Sequence, residues 1–277
     1  MAAFDDGYFI FNESVFTNNV AISGLVANMF NSAKESSILQ SNISNNQFVN
    51  SATVISEING DCTILCFSAD FKTFLSNHTT SLQVIESSYA LKSIISNFNV
   101  TQVDVYQQNQ FVDAYLSTVV LHTVNITNLT FTQSVIKSSL STLNGSDIII
   151  TNVDNPTSSL NSLISCSSDS SIYINNLDYT QSQAPLMLLF NVTGLIDKLN
   201  IMSVNSTSSM IEIDDSYGLQ LTSLTIDNVT SQAESIMLFK ESIGVSMDNI
   251  SISNIPQLFI KASQSVISKV HDLSMTN

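Results

Sequence analysis

The chain contains no arginine and no tryptophan, so all eight of its basic residues are lysines. Charged residues make up only 11% of the 277 positions, against roughly 25% in an ordinary soluble domain. The balance is acidic, with a formal net charge of −15. That excludes the basic footprint that nucleic acid needs, and it opposes binding to an anionic membrane surface. Three prolines and seven glycines are few for a sandwich of short strands joined by sharp turns. Three cysteines, Cys62, Cys66 and Cys166, do not make a disulfide scaffold. On one strand Cys62 and Cys66 would stand roughly 13 Å apart, too far to bridge; all three are read as small buried residues. No apolar run approaches the length of a membrane span, and the densest is 186–190. The start, MAAFDDGYFIF, lacks a basic n-region, so it does not read as a signal peptide.

Serine and threonine take the place of charge. There are 47 Ser and 22 Thr, with 29 Asn beside them. Hydrophobic residues still reach 44%, enough for a packed core and against disorder.

Two stretches of 24 or 25 residues, SMIEIDDSYGLQLTSLTIDNVTSQA and ESIMLFKESIGVSMDNISISNIPQ, share one plan. Each opens on an apolar burst, passes a glycine (Gly218 or Gly244) and closes on apolar–x–Asn–apolar. The period extends over segments 86–109, 110–133, 134–158, 159–183, 184–208, 209–233, 234–257 and a partial 258–277. The closing step places Asn97, Asn128, Asn152, Asn176, Asn228 and Asn249 at its third position, with Ser203 and Asp272 substituting twice. A longer echo, LTFTQS at 129–134, returns as LDYTQS at 177–182.

A fixed period of this size marks a repeat fold. The apolar residues alternate or come in short bursts, without a helical stripe. Ile, Val, Thr, Phe and Tyr suit pleated surfaces, whereas Ser/Thr/Asn-rich segments are poor helix formers. A leucine-rich repeat is the nearest rival, but its fixed line of leucines is missing. The expectation is an all-β, single-domain parallel β-helix of about eleven coils, about 4.8 Å per coil. Residues 1–85 form less regular coils, with a short capping helix over 24–37, and 86–277 form regular ones. The recurring Asn is expected to tolerate a left-handed bend and to bond its counterpart one coil away, as a ladder.

In period and residue class the pattern resembles right-handed parallel β-helix proteins of the pectin-lyase-like type, over roughly residues 86–277. The resemblance raises the prospect of a polysaccharide enzyme. Lyases of this type use an arginine base, which is missing here. The related hydrolases carry Asn-Thr-Asp, Asp-Asp, Gly-His-Gly and Arg-Ile-Lys segments. Here Asp-Asp occurs only at Asp5-Asp6 and Asp214-Asp215, and His78, His122 and His271 lack flanking glycines. Glu212, Asp214 and Asp215 could in principle supply the two carboxylates of a glycosidase; they read more simply as a solvated turn. No catalytic, cofactor or metal site is expected.

Asn-x-Ser/Thr occurs eleven times, at Asn12, Asn42, Asn77, Asn99, Asn125, Asn128, Asn144, Asn191, Asn205, Asn228 and Asn249. The composition alone would give about seven such acceptor motifs. Asn144, Asn191 and Asn205, near Gly- or Ser-rich turns, are favoured for modification. These features lead to the expectation of a non-enzymatic, extracellular or cell-surface glycoprotein that assembles end to end. The alternative is an adhesin-like module binding glycan or protein through exposed tyrosines, with Tyr89, Tyr106, Tyr115, Tyr173 and Tyr179 as candidates. A polysaccharide-degrading enzyme stands third.

Overall fold

In the computed structural model, residues 112–276 are described in full apart from 132 and 156–160; before residue 112 only the strand backbones are described. The chain winds as a parallel β-helix. Among the described residues every strand pairing is parallel, joining positions about 22–31 residues apart in the chain. No helix occurs among the described residues.

One coil shows the plan. The strand Gln108–Tyr115 forms the first face. The chain bends at Leu116 in the left-handed region (φ 49°) and enters Thr118–Thr130. That strand is bent twice more, at Thr123 (φ 53°) and Asn128 (φ 53°), which divides it into a second face, a third face and a short return. The bends repeat in register, coil after coil. The first corner runs Leu116, Leu140, Ser168–Asp169, Asn191, Asp215, Glu241, Gln264; the second runs Thr123, Asp147, Asn176, Lys198, Ser223, Asn249, Asp272; the third runs Asn128, Asn152, Gln181, Ser203, Asn228, Asn254. Just over half of these residues are Asn or Asp, the side chains that best tolerate such a bend. The others, a leucine and a lysine among them, are held there by the pairing on both sides.

Inward-facing residues form continuous columns. On the first face Ala114, Ser138, Cys166, Leu189, Ile213, Phe239 and Ala262 stack in register. On the third face Ile126, Ile150, Tyr179, Ile201, Ile226, Ile252 and Met275 do the same. Each column therefore counts seven coils in the fully described region, where the sequence leads one to expect about eleven along the whole chain. Earlier strands, from Ala2–Asp5 onward, pair in the same parallel order. Below the last coil the columns are dry: Ile126, Ile150, Tyr179, Ile201 and Ile226 are fully buried. Stacking like on like places β-branched side chains at the strand spacing, where they interlock without voids.

One expectation is corrected, and one likeness in sequence is not a repeat of register. Within 24–37, Ala27–Phe30 is a strand paired with Ala2–Asp5 and with 55–58. Its backbone is used by the ladder on both sides, so a helix cannot form there; the residues flanking it lie outside the described residues. The echo between 129–134 and 177–182 does not stack either. Leu177 lies over Ile148 and Val124, whereas Leu129 pairs with Val153. Likeness of short strings does not set the register; the continuity of the buried columns does.

Candidate functional site

Within a β-helix, chemistry can reside at the corners, on the outer faces or at the ends. The corners come first. The six Asn of the expected ladder do not share a column. Asn128, Asn152 and Asn228 sit at the third corner, and Asn176 and Asn249 at the second; the Asn97 side chain is not among those described, and its strand register places it in line with Thr123 of the second corner. The mixture explains the uneven spacing of the closing step, since a jump between corners shortens or lengthens the interval.

Hydrogen bonds along each corner are local. Asn152 Nδ2 donates to Asn128 Oδ1 (2.6 Å), and Asn228 Nδ2 donates to Ser203 Oγ (3.4 Å). Asn176 donates instead to the carboxylate of Asp147 (2.8 Å), and Asn254 to that of Asp227 (2.7 Å). The same amide-to-carboxylate pairing recurs on other columns, Asn191 to Asp169 (2.8 Å) and Asn200 to Asp178 (2.7 Å). Asp227 is held below the usual carboxylate range, chiefly by the hydroxyl of Ser253 and then by Asn254. The Thr222 hydroxyl does the same for Asp197.

A ladder that the sequence reading missed runs inside the first corner. Ser117, Ser141, Ser170, Ser216, Ser242 and Ser265 each follow a left-handed residue. In five of them the hydroxyl donates to the carbonyl two residues earlier: Tyr115, Ser139, Asp214, Lys240 and Ser263, at 2.7–2.9 Å. Ser170, in a coil carrying one extra bend residue, donates to Ser167 (2.5 Å). The same oxygen then accepts the backbone N–H of the coil below. Ser141 receives Ser117, Ser170 receives Ser141, Ser216 receives Val192, Ser242 receives Ser216 and Ser265 receives Ser242, at 3.1–3.3 Å. The hydroxyl is thus a second donor to a carbonyl that, in four coils, already accepts the bend residue's N–H from the coil below (Leu116 to Ser139, Leu140 to Ser167, Asp215 to Lys240, Glu241 to Ser263), and it is the acceptor for an amide that the sharp bend would otherwise orphan. The signal was present as a serine two residues past five of the seven first-face segments; Ser170 stands three past its own, and Val192 takes the place in the coil between. With 47 serines in the chain, it did not stand out.

The carboxylates considered for catalysis are occupied or dispersed. Glu212 and Asp214 lie on the outside of the first face, and Glu212 Oε1 pairs with Lys240 Nζ of the next coil (2.5 Å). The bond from Glu212 raises the Lys240 ammonium above its usual range. Asp215 forms the bend itself (φ 46°) and accepts from the Tyr217 hydroxyl (3.3 Å). Cys166 is fully buried in the first-face column, and burial pushes its thiol up to about 12, so it is not a nucleophile. Cys62 and Cys66 lie outside the described side chains.

The tyrosines among the described residues do not gather on one surface. Tyr179 is fully buried, with its hydroxyl donating to the Ala184 carbonyl (2.7 Å); its phenol completes the third-face column, and it is no surface ligand. Tyr115 is exposed on the first face and Tyr173 on the second; Tyr89 and Tyr106 lie outside the described residues. Around Tyr173 the second face carries a shallow groove of about 280 Å³, lined in part by Val120, Asn144, Asn175 and Asp197.

Of the eleven acceptor asparagines, Asn12, Asn42, Asn77 and Asn99 lie outside the described side chains. Asn128, Asn228 and Asn249 stand exposed at left-handed corners, and Asn205 is exposed beside the return. Being in the corner rows therefore does not bury them. Asn125, Asn144 and Asn191 are half-buried. Asn191 spends its amide nitrogen on Asp169, and the carbonyl oxygen of Asn125 is enclosed with no partner.

The chain matches no protein-family model, and no curated protein is significantly similar to it. The parallel β-helix is therefore established by strand register alone.

At the last coil, 258–276, the columns come into the open. Val270, Leu273 and Met275 are 47%, 45% and 58% exposed, while their register partners Met247, Ile250 and Ile252 are buried.

Proposed function

We propose that the protein is a non-enzymatic structural subunit of an extracellular fibre or surface coat, glycosylated on its outer corners and assembled by end-to-end stacking of β-helices. The observation that carries this reading is the repeat: apolar columns hold one register through seven coils, and the outer corners carry exposed acceptor asparagines at Asn128, Asn228 and Asn249. Val270, Leu273 and Met275 continue three of these columns. The edge of such a parallel stack templates another strand. The partner that fits is another parallel coil with apolar residues at the same spacing, supplied by a second copy. A heterologous contact of this kind propagates as a filament when it does not close. Glycans at Asn128, Asn205, Asn228 and Asn249 would project from the sides and leave the ends free.

Sedimentation and electron microscopy of the 277-residue chain test the assembly. Concentration-dependent rods are expected, and Val270→Lys with Leu273→Lys should abolish them, because lysine cannot be buried unpaired. A monomer at every concentration would remove the fibre reading. Intact-mass analysis of native material tests the glycans.

The groove around Tyr173 favours a second reading, an adhesin-like module. A tyrosine 48% exposed beside two asparagines and an aspartate offers a ring face and hydrogen-bond partners for a sugar. A glycan array giving no hits, or hits indifferent to Tyr173→Ala, would dispose of it.

A further inference from the structure

In a straight strand, neighbouring side chains point to opposite faces. A left-handed bend breaks that rule and turns two successive side chains outward together. At the second corner this happens at His271 and Asp272, where Asp272 has φ 50°. His271 is also the register partner of Asp248, one coil below. Three donors from two coils therefore meet. His271 Nδ1 lies 2.9 Å from Asp248 Oδ1 and 3.1 Å from Asp272 Oδ2, and all three donor atoms fall within 4.8 Å of one another. Bonds of about 2.0–2.2 Å to a tetrahedral ion set its donor atoms about 3.3 Å apart, so small rotamer adjustments bring this triangle to ligand spacing.

We propose that Asp248, His271 and Asp272 form a binding site for a divalent transition-metal cation of the zinc type, which clasps the coil 258–276 onto the coil beneath it. One imidazole with two carboxylates selects Zn²⁺, Ni²⁺ or Cu²⁺ over Ca²⁺ and Mg²⁺, which prefer all-oxygen shells. The positions left open on the ion face solvent. The other oxygen of Asp248 lies 3.5 Å from Lys269 Nζ, with Oδ1 turned toward the imidazole. Six coils below, the equivalent histidine makes a useful contrast. His122 Nδ1 meets the Ser146 hydroxyl (2.7 Å) and only one carboxylate, Asp147, at 3.8 Å. The column repeats its geometry, but among the described residues only the last two coils supply two carboxylates to a histidine.

The test titrates chelator-treated 277-residue chain with Zn²⁺ and, separately, Ca²⁺, by calorimetry and by hydrogen exchange of 266–276. The expected result is one Zn²⁺ per chain, with exchange in the last strand slowed several-fold. Asp248→Asn, His271→Gln and Asp272→Asn should each weaken binding about tenfold or more, while His122→Gln changes nothing. All four positions are on the surface, and far-UV circular dichroism verifies that each variant folds. No Zn²⁺ binding up to millimolar concentration overturns the proposal. So does binding indifferent to His271→Gln, or Ca²⁺ bound as tightly as Zn²⁺.

Discussion

Removing one hydroxyl from the serine ladder tests whether the corners are held from inside. In Ser216→Ala, the Asp214 carbonyl loses its donor at 2.9 Å and the Val192 amide loses its acceptor at 3.1 Å. Ser216 is fully buried, so water cannot take over either bond without opening the corner. Each lost bond costs about 0.5–1.5 kcal/mol, and an amide left unsatisfied in the interior about 1–3 kcal/mol. The expected loss is about 3 kcal/mol, a lowering of Tm by roughly 6–12 °C for a protein of this size. Solenoids can unfold coil by coil, so the melting curve needs a local companion. Hydrogen exchange of the Val192 amide should accelerate by about 10²-fold, as a local opening of that size implies. Ser274→Ala, at an exposed position of the last strand, is the control and should stay within about 0.5 kcal/mol of the parent. If Ser216→Ala is as stable as Ser274→Ala, the buried hydroxyls are ornaments and the corner is held by the bends alone.

Gly194→Ala should prevent its coil from closing, because the added Cβ would lie 1.8 Å from the Ile172 carbonyl oxygen at a φ of +138°; limited proteolysis around 192–196 would reveal the defect. Asn228→Ala should cost about 1 kcal/mol, whereas Asn228→Gly should be nearly neutral, since φ 51° strains any β-carbon lacking an amide; thermal unfolding of the pair reads the difference. Acid should destabilise the helix in a defined window. Asp197, Asp227, Asp248 and Glu234 all titrate below their ordinary values in the folded state, chiefly through bonds from Thr222, Ser253, His271 and Lys261. Their contribution is fully present above the unfolded carboxylate range of about 4 and is lost as pH falls through the depressed native values. Asp197→Asn with Asp227→Asn should therefore flatten the acid limb of stability against pH, and an unchanged limb would refute the assignment.

The corners show where reading the sequence stopped being sufficient. The apolar–x–Asn–apolar step located real bends, because a left-handed residue flanked by inward side chains leaves that local trace. Which corner each Asn served was invisible. Asn152 and Asn176 are spaced like neighbours in one column, yet the first turns the third corner and the second turns the second. Asp147, Lys198 and Ser223 occupy the same bend as Asn176 without sharing its chemistry. Their conformation is imposed by the strands above and below, so no residue preference marks it. Tyr179 shows the same limit. In the sequence it is a polar aromatic between Asp178 and Thr180; in the fold it takes a rung of the isoleucine column, because its hydroxyl finds the Ala184 carbonyl.

By itself, then, the sequence determined the winding. Apolar bursts recurring every 24 or 25 residues can be buried together only by laying each turn on the last, and that argument needs no coordinates. Tertiary structure decided what the surface offers: the buried serines, the partners of each carboxylate, the exposed asparagines, and the meeting of Asp248 with His271 and Asp272. Those depend on register between coils, a property of residues more than twenty positions apart that no single repeat carries.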